Sequence, residues 1–164
     1  MATRIDRTVR PFLFALVWTL IIAGLAAALT LGREEALSGR SLAVIAVYAT
    51  GSFTGGLISW GLARLATLRR PRRSARFAAM LICLTVTTAG FSAFLFYLQL
   101  RTYYAAWHTH EFSYRMIWEQ LFTGATTAYI FGVKGARLLL PFAIVPLLAA
   151  SWYFARIEPR RRVC

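Results

Sequence analysis

The stretch PFLFALVWTLIIAGLAAALTL, residues 11–31, carries no ionisable side chain. A helix crossing ~30 Å of hydrocarbon needs about 20 mostly apolar residues, so this segment alone predicts a transmembrane helix. Three further stretches repeat the pattern: residues 41–68, charged only at Arg64 near its end, residues 77–100, and residues 138–154. Arg64 is close enough to the end of its stretch to extend toward lipid headgroups. Pro11 fits the first turn of a helix, where its missing N–H costs nothing. Pro141 falls near the start of the fourth stretch and Pro146 inside it, which predicts a kink. Residues 11–31 are longer than the 7–15 residues usual for the apolar part of a signal peptide, so a retained anchor is expected despite Ala26, Ala27 and Ala28.

The composition agrees with this reading. Of 164 residues, 59% are hydrophobic and 15% charged, and the mean hydropathy is +0.58, which is too apolar for a soluble fold of this size. The fold expected is a single all-α membrane domain over residues 1–164. It is an antiparallel bundle of four transmembrane helices, with an amphipathic interfacial helix in the long loop 101–137 between the third and fourth.

The basic residues fix the expected orientation. Nineteen Lys and Arg against six Asp and Glu give a net charge of +13. Thirteen of the cations fall in the N-terminal segment, at the link between the second and third stretches, and in the C-terminal tail; the opposite side holds six, nearly balanced by four glutamates. The positive-inside rule then puts both termini in the cytoplasm. The small size and Arg-rich, Lys-poor usage suggest a bacterial inner membrane. Cys83 lies in the third stretch and Cys164 ends the chain, so no disulfide between them is expected.

The densest charge run comprises Arg69, Arg70, Arg72, Arg73 and Arg76. It reads first as a topology determinant and second as a contact for anionic lipid, each Arg near a negative leaflet contributing ~1 kcal/mol. No aromatic residue interleaves the run to stack on bases, so no nucleic-acid partner is expected.

Loop 101–137 is too polar to span and too aromatic for a disordered linker. Tyr114, Ile117, Trp118, Leu121 and Phe122 recur at helical spacing, and Glu111, Arg115 and Glu119 stand four apart on another face. The spacing predicts a surface helix over about 110–123, ended by Gly124 in the left-handed conformation, that buries Trp118, Ile117 and Leu121 and exposes the charged ladder. A continuous helix from Thr126 onward would carry Lys134 and Arg137 into the apolar layer at a cost of at least ~2.5 kcal/mol for a central charge. A break near Gly132–Gly135 is therefore expected, with both cations at headgroup level and available to an anionic headgroup.

Few residues carry chemistry. His108, His110 and Glu111 are borderline metal ligands, but the H-x-H spacing faces one way only on a strand; polar residues at a helix start, with Thr109 as N-cap, are the plainer reading. The four stretches hold no mid-membrane Asp, Glu or His of the kind that serves proton-coupled transport or haem, and the common nucleotide, zincin and thiol-redox motifs are missing. No cofactor is expected. Gly51 and Gly55 form a small-x-x-x-small pair suited to close helix contact, as do Gly24 with Ala28 and Ser52 with Gly56. Thr85 and Thr88 lie mid-span and can bond their own backbone, a neighbouring helix or a ligand.

Three functions remain, in order. The first is a non-catalytic accessory or assembly subunit that meets membrane-protein partners, or its own copies, through Trp118, Ile117, Leu121, Gly51 and Gly55. The second is a carrier or flippase for a lipid-like or small neutral molecule, using Thr85, Thr88, Lys134 and Arg137. The third is an outward-facing metal-dependent enzyme built on His108, His110 and Glu111.

Overall fold

A computed structural model describes residues 2–32, 39–68, 72–104 and 114–157. Their regular structure is entirely helical: α1 (Ala2–Leu31), α2 (Gly39–Ala66), α3 (Arg73–Tyr104), α4 (Tyr114–Ile130) and α5 (Arg137–Ile157), with a π-helical segment, Phe131–Ala136, joining α4 to α5. Three of these helices are long and apolar enough to cross a membrane, over Val9–Thr30, Ser41–Ala66 and Arg73–Thr102, with mean hydropathies of 2.5, 1.5 and 1.9. They coincide with the first three apolar stretches of the sequence. A shorter apolar helix covers Pro141–Ile157.

The central contact is between α2 and α3. A Cβ added at Gly51 would lie 2.8 Å from the Ser92 Cα, and one at Gly55 would lie 2.7 Å from the Thr88 Cα. Only glycine allows backbones this close. Because Gly51 opposes Ser92 and Gly55 opposes Thr88, the two helices run antiparallel. The close approach lets the Thr87 hydroxyl reach the Gly55 carbonyl at 2.9 Å while it also serves its own Cys83 carbonyl at 2.7 Å. Helix α1 also packs on α2, where Gly56 sits against Ala15 and Trp18.

Near the basic link the bundle is filled by aromatic rings. Trp60 meets Phe14 at 5.1 Å between centroids and Phe154 edge-on at 5.0 Å, so α1, α2 and α5 share one cluster. Met80 and Leu84 of α3 complete it. At the far end Tyr48 of α2 stacks with Phe131, at 6.3 Å, and thereby ties the π segment to the bundle.

Outside this core, apolar side chains point away from the protein. Leu20, Val86, Phe94, Val145 and Trp152 are all exposed, while Ser52, Ser59, Ser92 and Ser151 are buried. That is the arrangement of a chain whose surrounding medium is itself apolar, where close packing and hydrogen bonding rather than hydrophobic burial drive helix association.

Three local expectations are corrected. Helix α1 begins at Ala2, so Pro11 is an interior residue and not part of the first turn. Helix α4 does not end at Gly124 but passes through it to Ile130, while residues 110–113, where its start was expected, lie outside the described residues. In place of a chain break at Gly132–Gly135 there is the π segment, whose wider turns keep the helical path continuous into α5. Pro141 follows shortly after, inside the first turns of α5, where it lacks a backbone N–H to donate.

Candidate functional site

Helix α4 divides into two faces. Tyr114, Ile117, Trp118, Leu121, Phe122 and Tyr129 are exposed, Tyr114 at 84% and Tyr129 at 69%. Glu119, Gln120 and Thr123 are half-buried and Thr127 is buried, all on the opposite side. Trp118, Ile117 and Leu121 stand 57%, 58% and 58% exposed, so the protein itself does not bury them, whereas Glu119, expected among the exposed charges, is half-buried on the polar side that faces the bundle. On this inward side the Tyr97 phenol of α3 donates to the Gln120 side-chain carbonyl, tying α4 to the bundle, while the Thr123 and Thr127 hydroxyls are satisfied within α4 by the Glu119 and Thr123 carbonyls at 2.7 and 2.6 Å.

The contacts also set the course of α4. The helix between Gln120 and Phe131 is about 16 Å long at 1.5 Å per residue. Their partners Tyr97 and Tyr48 nonetheless lie at nearly one level, because the α2–α3 register puts Tyr48 opposite Leu95. Helix α4 thus crosses the end of α3 steeply.

Where α4 passes Leu100 there is an open groove of about 470 Å³. Leu100, Trp118 and Phe122 supply apolar wall, and Arg115, Glu119, Thr123 and Thr126 supply polar groups. Arg115 and Glu119 form an i,i+4 ion pair at 3.4 Å, with the arginine side chain 77% exposed and the glutamate 22%. The Trp118 and Phe122 rings adjoin at 6.3 Å.

The other residues singled out in the sequence are dispersed. Gly51 and Gly55 are consumed in the contact with α3 of the same chain, so the partner-facing role expected of them is corrected by their burial. Gly24, whose pairing with Ala28 looked equivalent, has nothing within 4 Å of an added Cβ. Thr85 donates to its own Leu81 carbonyl at 2.7 Å. Thr88 accepts the Trp18 indole N–H at 3.1 Å, joining α3 to α1; interhelical bonds of this kind contribute ~0.6 kcal/mol on average in membrane proteins.

Of the basic run, Arg72 and Arg73 are exposed, while Arg69 and Arg70 fall outside the described residues. Arg76 is only 4% exposed, which corrects its assignment to a lipid-contacting face. The α2–α3 register sets it level with the last turn of α2, whose carbonyl end carries partial negative charge. Lys134 lies in the π segment and Arg137 begins α5. His108, His110 and Glu111 lie outside the described residues.

The groove and the inward polar face of α4 were not singled out from the sequence. The signal was present in the spacing of Glu119, Gln120, Thr123, Thr126 and Thr127, which mark one helical face as clearly as the aromatic residues mark the other. Comparison of the chain with protein-family models, with curated proteins and with solved structures gives no match.

Proposed function

We propose that the chain is a four-span bacterial inner-membrane protein with both termini in the cytoplasm, and that it serves as a non-catalytic accessory or assembly subunit of a membrane complex. The observation that carries this is the apolar, aromatic outward face of α4 on a helix whose polar side is held to the bundle by Tyr97 and Gln120. Such a face needs an apolar covering, either interfacial lipid or a neighbouring membrane protein. The carrier reading drew on Thr85 and Thr88, and both hydroxyls are engaged within the chain.

For the fourth span, the 21 residues of α5 reach about 30 Å, one hydrocarbon thickness. Lys134 and Arg137 then start that span at the headgroup level opposite the basic link. A reporter fused at Arg73 is expected to read cytoplasmic and one at Ser113 external; an external signal from Arg73 would overturn the orientation.

The subunit role is tested by placing a photo-reactive residue at Ile117 and, separately, at Leu121 in cells. Each is expected to give a crosslink to one defined polypeptide, while the same residue at Val86 on α3, exposed on another helix, gives lipid adducts. Lipid adducts alone from all three sites would sink the subunit reading.

A further inference from the structure

We propose that the groove between the far end of α3 and helix α4 binds a phospholipid whose headgroup carries both a phosphate and a primary ammonium. This goes beyond the subunit reading and does not depend on it. The groove lies at the level where such a headgroup would be. Leu100 sits at the end of the apolar segment Arg73–Thr102, furthest from the basic link, and Arg101 and Thr102 beside it are exposed. At about 470 Å³ it falls within the size range of small-molecule sites.

Its charge pattern selects the class of lipid. Arg115 at the mouth presents a guanidinium, whose fork of donors matches phosphate geometry. Glu119, deeper at 22% exposure and 3.4 Å from Arg115, presents a carboxylate. A headgroup with adjacent negative and positive centres satisfies both together. An anionic headgroup without an amine would meet Glu119 as a like charge, and a free phosphate would leave the apolar wall of Leu100, Trp118 and Phe122 unused. That wall suits the upper part of an acyl chain. A helix from a second copy is disfavoured, because it would bury the Arg115–Glu119 pair away from water at a desolvation cost.

The test uses the full chain purified in mild detergent and offered equal amounts of ethanolamine and glycerol phospholipids with identical acyl chains, read as bound adducts by native mass spectrometry. The wild type is expected to carry about tenfold more ethanolamine lipid, the ratio that 1.4 kcal/mol produces. Glu119→Gln should bring the ratio close to one, and Arg115→Gln should lower the adducts of both lipids. Leu20→Ala, exposed on α1 and outside both the groove and the basic run, should leave the ratio unchanged. Phe122→Ala removes only an exposed wall residue and should cut ethanolamine-lipid adducts several-fold, which keeps the proposal testable if the Glu119 variant does not fold. A wild-type ratio near one, a preference that survives Glu119→Gln, or a lipid-free dimer would each overturn the proposal.

Discussion

Replacing Gly51 and Gly55 with alanine is expected to force α2 away from α3 and to destabilise the protein by about 1–3 kcal/mol per site, the usual cost of overpacking. The added methyl at either position would stand closer than 3.0 Å to α3 backbone atoms, which cannot swing aside as a long side chain could. The Thr87 bond to the Gly55 carbonyl would lengthen with the separation. Gly61→Ala and Gly90→Ala supply the contrast. Both lie inside helices with nothing within 4 Å of the new methyl, so each should be neutral or stabilise by up to ~1 kcal/mol through the better helix propensity of alanine. Thermal unfolding in detergent distinguishes the two sets. Equal shifts for all four variants would mean that the close α2–α3 contact is not what holds the bundle.

Phe154→Ala should be the most damaging single truncation, at about 3–5 kcal/mol. The ring is fully buried, stacks edge-on against Trp60, and joins α5 to the cluster that α1 and α3 also enter. Its loss leaves a cavity that surrounding lipid cannot fill, so dispersion contacts on every side are forfeited. Phe142→Ala on the same helix removes an equal ring that is 54% exposed and should change stability by no more than ~0.5 kcal/mol. Thiol labelling of Cys83, which packs against the cluster, provides a second readout in a Cys164→Ser background. Labelling should accelerate in Phe154→Ala and stay unchanged in Phe142→Ala; matching rates would show that α5 is not anchored there.

These expectations rest on features that the sequence made legible to different degrees. Residues 11–31, 41–68 and 77–100 announced their helices through length and the lack of charge, because a bilayer imposes its requirement segment by segment and the segment contains the whole answer. The amphipathic character of residues 114–122 was equally local, since helical spacing alone sorts Ile117, Trp118 and Leu121 from Arg115 and Glu119. What spacing cannot say is which of two faces turns toward the protein. That choice depended on Tyr97, distant in sequence, offering its hydroxyl to Gln120.

The same distinction separates the small-residue pairs. Gly24 with Ala28 and Gly51 with Gly55 are equivalent as patterns, but only the second pair has an α3 backbone against it. Arg76 belonged by sequence to an exposed basic run, and the register between α2 and α3 carried it inward to the end of α2. Arg72 and Arg73, beside it in the sequence, share its chemistry but are exposed.

The sequence by itself determined where the three helices long and apolar enough to cross a membrane run, and that residues 114–122 form one side of an amphipathic helix. The tertiary structure decided that the aromatic face of α4 looks outward, that Gly51 and Gly55 serve an internal contact, and that α4 reaches α5 through a π segment instead of a break. The physical reason is the range of the forces: transfer into lipid is summed along a segment, whereas hydrogen-bond partners and close backbone packing are supplied by residues far away in the chain.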